Sequence, residues 1–171
     1  AGLAREQFLI LPHAEVQEAL LDEMIRLFKQ ESEPKPGAVA TLDFLSTQHR
    51  EDGSRMPLAI ASSSPCRLLD AAVTRFGWQG IFQVIHSAQD EAYGKPHPAV
   101  YLSAAQKLNA RPDECLAFED SLPGLIASKA ARMKCVAVPE THNLADPRFA
   151  LADAVLRTLE EFTPNLWEKL H

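Results

Sequence analysis

Three groups of residues in this 171-residue chain have types and spacings suited to chemistry. Glu119 and Asp120 stand side by side where the apolar run Leu116-Ala117-Phe118 stops. Neighbouring carboxylates repel unless a cation lies between or beside them, and a magnesium ion is the simplest such partner. The plainer alternative is that they open the next helix, whose positive dipole end favours acids. Ser62, Ser63 and Ser64 precede Pro65, bringing hydroxyls and backbone N–H groups to a helix start. That is an anion cradle, although one serine alone would serve as a cap. Lys95 is set between Gly94 and Pro96, with Pro98 opening the following helix. A lysine so fixed can hold its ammonium over a phosphate; the alternative is an ordinary solvated lysine.

The surrounding pattern places all three groups at equivalent points. From Pro57 onward, short aliphatic runs alternate with helix-like segments: "PLAIA", "FQVIHS", "CLAFE", "KCVAVP" and "ADAVL" read as strands. "PCRLLDAAVTRFG", "PAVYLSAAQKLN" and "SLPGLIASKAARM" read as helices. Such alternation predicts a parallel sheet with helices packed on its faces. In an open parallel sheet, ligands bind beyond the carboxyl ends of the strands, where all three groups fall. Upstream, Ala14 to Lys29 carries apolar residues at Val16, Leu20, Leu21, Met24, Leu27 and Phe28, the period of an amphipathic helix. The stretch from Glu33 to Gly37, with two prolines and a glycine, reads as a hinge before a second helix at "AVATLDFLSTQ" and a polar turn at "HREDGSR". Trp78, Phe82, Leu125 and Ile126 are expected to pack the core, and His97 to serve at a helix start.

Composition narrows the function further. A net charge of −6 and a pI near 5.5 argue against a nucleic-acid surface, which needs clustered Lys and Arg. No apolar run reaches the roughly 18 residues of a membrane span, and the N-terminus lacks a signal-peptide pattern, so a cytoplasmic location is expected. Cys66, Cys115 and Cys135 are widely spaced beside apolar segments, as reduced and mostly packed thiols would be. The histidines show no zinc-like spacing.

The segments "LAIASSSP", "GKPHPAVYLSAAQKL" and "LAFEDSLPGLIASKAARM" together resemble the second, third and fourth motifs of the haloacid dehalogenase superfamily, in its β-phosphoglucomutase and sugar-phosphate phosphatase branch. The resemblance runs from about Pro36 to Asp153. It implies a Rossmann-like core over residues 36–171, with residues 1–35 as part of a small helical cap. It implies catalytic roles for Ser62 and Lys95, with Ser62, Ser63, Ser64 and Lys95 on the phosphate and magnesium held by Glu119 and Asp120. The implied reaction is phosphatase chemistry on a sugar or sugar-alcohol phosphate, through an aspartyl-phosphate.

One element of that pattern is missing. The family's first motif, a D-x-D-G segment ending the first and central strand, has no counterpart at Asp43, Asp52 or Asp146. The expectation is therefore a core without its first strand, read as the C-terminal portion of a longer protein and inactive alone. The vacancy would lie between the strands "LAIA" and "LAFE", with backbone groups there left unpaired. Alternative readings are a non-catalytic module binding phosphate or a partner, a phosphosugar mutase, or a strand-exchanged dimer. A two-component receiver domain fits less well because Lys95 precedes the acids, and a dehalogenase less well because the acidic pair suits phosphoryl transfer.

Overall fold

The structure, a computed structural model, describes residues 13–170. Helices α1 (His13–Glu31) and α2 (Ala38–Ser46) lead into an alternation of β1 (Ala59–Ser62), α3 (Cys66–Arg75), β2 (Val84–Ser87) and α4 (Ala99–Lys107). It continues with β3 (Leu116–Glu119), α5 (Leu122–Ala130), β4 (Lys134–Ala137), β5 (Ala154–Val155) and α6 (Pro164–Leu170). No helix among these residues is long and apolar enough to cross a membrane.

Every strand pairing is parallel, as the alternation requires, but the strands form two sheets. β1 pairs with β2, Ala59 opposite Val84 through Ser62 opposite Ser87. β3 pairs with β4 and β4 with β5, Leu116 opposite Lys134 and Val136 opposite Ala154. Among the described residues no strand joins β1 to β3. The seam is spanned by helices instead: α4 packs on β1, β2 and α5, while α5 packs on β3 and β4.

Side-chain alternation along the strands divides the core between two faces. On one, Ala117, Cys135 and Ala137 meet Val100, Tyr101 and Ala105 of α4 and Leu125 and Ala127 of α5, with Ala61 packed against the cluster. The small residues of α5 let its backbone approach the sheet closely. Leu125 is fully buried whereas Ile126 is 39% exposed; one residue along a helix turns the side chain by about 100°, so Ile126 does not share the inner face expected for it. On the opposite face Leu116, Phe118 and Val136 join Leu45, Leu156, Phe162 and Trp167. α6, which the sequence pattern does not announce, closes this side.

α1 lies against α3. Arg67 binds Glu18 at 2.7 Å and Asp22 at 2.5 Å, and Phe28 meets Phe76 edge to face with ring centroids 5.6 Å apart. Trp78 and Phe82 extend that aromatic run. Cys66, the first residue of α3, is exposed, contrary to the packed thiol expected. Burial pushes the Cys135 thiol up to about 11, so it stays protonated and unreactive near neutral pH.

The segment from Glu33 to Gly37 runs into α2, whose start is fixed to a distant part of the chain. Gly37 adopts φ +82° at the start of α2 and sits against the backbone of Leu159 and Glu160. Thr41 of α2 donates to the Leu159 carbonyl at 3.4 Å.

Candidate active site

The carboxyl ends of β1 and β3 meet at one ammonium. Lys95 arrives on the loop between β2 and α4, and its Nζ donates to the Ala61 carbonyl at 3.1 Å, the Tyr101 hydroxyl at 3.3 Å and Glu119 Oε1 at 2.5 Å. It also lies 4.7 Å from the centre of the Tyr101 ring, within cation–π range. An ammonium has three donors, and all three are engaged. The loop that carries it is clamped at its start. His86, 3% exposed, binds Glu91 through Nε2 at 2.6 Å and faces Lys107 through Nδ1 at 2.9 Å. The lysine can only donate, so Nδ1 accepts and the Nε2 proton goes to the carboxylate. The hydrogen bonds from His86 and Ser103 hold the Glu91 carboxyl below its ordinary range. Glu91 is thus a loop anchor.

Ser62 ends β1, one residue beyond the Ala61 carbonyl that Lys95 holds. Its hydroxyl oxygen accepts the Ser64 N–H at 3.1 Å, and the Ser64 carbonyl accepts from the buried Ser87 hydroxyl at 2.7 Å. Ser63, between them, is exposed. Pro65 occupies the cap position of α3 rather than its first turn, and the Cys66 N–H is taken by Gln89 at 2.9 Å. The serine loop is therefore tied to the loop after β2, placing the groups around Ser62 and Lys95 at a common rim.

The adjacent acids diverge, as successive strand residues do. Glu119, 8% exposed, points into the seam, where Oε1 accepts from Lys95 and from the Tyr101 hydroxyl, and Oε2 accepts from Ser121 at 3.2 Å. Ser121 also caps α5 by accepting the Gly124 N–H at 3.2 Å. Burial, then the Glu119 charge, push the Tyr101 hydroxyl far above its ordinary range, so it remains a donor. Asp120 turns outward to the rim, 3.4 Å from the Lys35 ammonium, which also holds Glu140 at 2.5 Å. Burial alone would lower the Lys35 pKa, but the hydrogen bond to Glu140 and the two carboxylate charges outweigh it and raise it. The acidic pair is thus matched residue by residue, Glu119 with Lys95 and Asp120 with Lys35.

Asp120 also borders a rim hollow lined by Ser121, Glu140, His142 and Arg148. Asp146 supports it from the side by accepting the backbone N–H of Arg148 at 2.9 Å and its guanidinium at 2.6 Å. Those bonds hold the Asp146 carboxyl well below the usual range, at about 2. Its folded value lies below its unfolded one, so its contribution is full above the ordinary carboxylate pKa and lost as pH falls through about 2. Urea unfolding at pH 6 and at pH 2 should therefore show a larger acid loss in wild type than in Asp146→Asn.

Tyr101, Ser121, Gly124 and Lys35 are missing from the sequence-derived set. Tyr101 reads as core, and Lys35 as hinge. Gly124 alone carried a signal, since glycine inside a helix costs about 1 kcal/mol relative to alanine and marks close approach. A Cβ there would lie 2.0 Å from the Glu119 carboxylate. Gly124→Ala should displace that carboxylate from Lys95 and destabilise the fold by roughly 1–2 kcal/mol. Urea denaturation of the variant, alone and combined with Glu119→Ala, checks whether the clash is with this side chain.

For a divalent cation, Asp120 offers a half-exposed hard oxygen donor of the type magnesium prefers, and magnesium commonly rests on one or two carboxylates, water and a substrate phosphate. Glu119 already accepts three hydrogen bonds. Among the described residues no three His, Cys, Asp or Glu side chains converge on a common point. The residues fit part of such a site, with Asp120 as its carboxylate.

The parallel α/β core thus brings a lysine, a serine loop and the buried member of the acidic pair together. Residues 3–132 match the model of the haloacid dehalogenase-like hydrolases, and the chain belongs to that family. It is 46% identical over 106 residues to hexitol phosphatase B of Escherichia coli, covering 62% of this chain and 48% of that protein. It is 32% identical over 126 residues to validoxylamine A 7'-phosphate phosphatase of Streptomyces hygroscopicus subsp. limoneus, covering 74% and 58%. The crystal structure of CbbY from Rhodobacter sphaeroides in complex with phosphate superposes with a TM-score of 0.77 at 29% identity, covering 90% of this chain and 67% of that one. The chain spans about half the length of the curated relatives it matches.

Proposed function

We propose that this chain carries the phosphate- and cation-binding half of a phosphatase acting on sugar or sugar-alcohol phosphates, with residues 36–171 as the core and residues 1–35 as part of a cap. The first twelve residues of that cap lie outside the described residues. The observation that carries the reading is the engagement of Lys95 with both Ala61 and Glu119, which sets one ammonium between the serine loop and the acidic pair. The relatives' names, hexitol phosphatase B and validoxylamine A 7'-phosphate phosphatase, support the substrate class.

In this reading a phosphoryl group exchanges with the Ala61 carbonyl for the Lys95 ammonium, and the Ser62 hydroxyl donates to a second phosphoryl oxygen, with Ser63 and Ser64 alongside. Tyr101 and Glu119 hold Lys95 in place. Asp120 would hold magnesium, which would offset charge on the phosphoryl oxygens. Attack on phosphorus requires a nucleophile in line with the leaving oxygen. Among the described residues Asp43 lies on α2, Asp52 in the turn after it, and Asp146 caps the turn after β4, positions that support reading the in-line nucleophile as missing.

The test is a panel of hexitol and sugar phosphates with magnesium, alongside calorimetric titration with inorganic phosphate. Binding of phosphate weakened at least tenfold by Lys95→Ala, without turnover, is the expected result. Robust turnover by the chain would overturn the absence of a nucleophile, and phosphate affinity unaffected by Lys95→Ala would overturn the site. The edges of β1 and β3, which no strand pairs among the described residues, favour a second reading, a module whose seam accepts a strand from a partner. Protection of the β1 and β3 amides on adding such a strand would support it.

A further inference from the structure

We propose that Lys35 is the built-in counter-cation of the rim, which a divalent ion must displace to reach Asp120. The inference rests on the reading of Asp120 as a cation ligand. Lys35 stands between Pro34 and Pro36, whose rings fix the backbone on either side, and Gly37 next to them is seated on Leu159 and Glu160. The hinge therefore delivers the lysine at a set position. Its ammonium draws together carboxylates from two neighbouring strand ends, Asp120 after β3 at 3.4 Å and Glu140 after β4 at 2.5 Å.

Convergence of two carboxylates on one positive charge is what a divalent ion would otherwise provide, and one ammonium leaves one negative charge uncompensated. The nearby Asp146 and Arg148 neutralise each other, and Lys95 is committed to Glu119, so neither relieves that excess, and His142, which also acts on Glu140, adds to the ammonium only when protonated. An incoming divalent ion is attracted to the excess charge and repelled by the ammonium beside Asp120. The contact it breaks is the longer of the two, and Lys35 keeps Glu140. Cation occupancy is in this way coupled to the segment joining α1 to α2, because the same side chain serves both. Ion pairs this exposed are individually weak, which lets the exchange occur without unfolding.

Calorimetric titration of the full chain with MnCl2 and with MgCl2 at low ionic strength tests this. Lys35→Met should tighten divalent binding by about 3- to 10-fold, Lys35→Arg should leave it within about twofold of wild type, and Asp120→Asn should abolish it in either background. Hydrogen exchange supplies a second readout: saturating magnesium should speed exchange of the amides over 32–37 in wild type and leave Lys35→Met unchanged. If Asp120→Asn abolishes binding while Lys35→Met matches wild type, the role of Lys35 is refuted and the cation site stands. If Asp120→Asn binds as wild type does, or if no form binds a divalent ion, the cation reading falls and this inference with it.

Discussion

Lys95→Met is expected to cost about 3–5 kcal/mol of stability at neutral pH, because it leaves a buried carboxylate without its counter-charge. Glu119 is 8% exposed, and its remaining partners, Tyr101 and Ser121, bring hydroxyl dipoles rather than charge. The methionine restores the length of the lysine stem but none of its donors, so the Ala61 carbonyl also loses its bond from Nζ. Pairing the change with Glu119→Gln should recover most of the loss, because the amide carries no charge to be compensated and the two residues are in direct contact. Urea denaturation of the four members of this cycle measures the coupling. A single-variant loss below about 1 kcal/mol would mean that solvent reaches the seam and that the ion pair is no more than a surface contact.

Gly37→Ala is expected to cost roughly 2–4 kcal/mol, for two separate reasons. The φ of +82° disfavours any side chain, and a Cβ would lie 2.2 Å from the Glu160 nitrogen and 2.4 Å from the Leu159 carbonyl carbon. Both obstacles are backbone, so no rotamer change relieves them. Gly53 provides the internal comparison: its φ is +80° but a Cβ there meets nothing within 4 Å, so Gly53→Ala should lose only the conformational share, about 1 kcal/mol. Equal thermal shifts in the two variants would show that the contact with Leu159 and Glu160 contributes nothing.

The parallel fold and the common rim were legible in the sequence because both follow from local signals. Aliphatic runs alternate with helical periods, Ser62 and the acidic pair fall where a strand stops, and Lys95 lies in the loop that leads from β2 to α4. Boundaries were less so. The strand expected at Pro57 to Ala61 runs from Ala59 to Ser62, because Leu58 is held by Gln83, its N–H by the side chain and its carbonyl by the backbone N–H, and regular pairing starts after that tie. Glu119 and Asp120, adjacent in sequence, are each met by a separate lysine, Lys95 and Lys35. Lys35 gave no sign of this, since its partners lie far along the chain and become neighbours only when β3 and β4 pair. His86 was hidden for a similar reason. A lone histidine in an apolar strand announces neither Glu91 nor Lys107, and the three meet only once α4 has packed on β2.

The division of the strands into two sheets has a consequence for how the molecule opens. β2 packs on α3, which carries α1, whereas β3 and β4 pack on α5, and α4 with the Lys95–Glu119 pair joins the groups. Among the described residues no continuous ladder of backbone bonds crosses between them, so one half can breathe while the other stays shut. The rim lies on that boundary, and its geometry lasts only while the weaker of the two halves is closed.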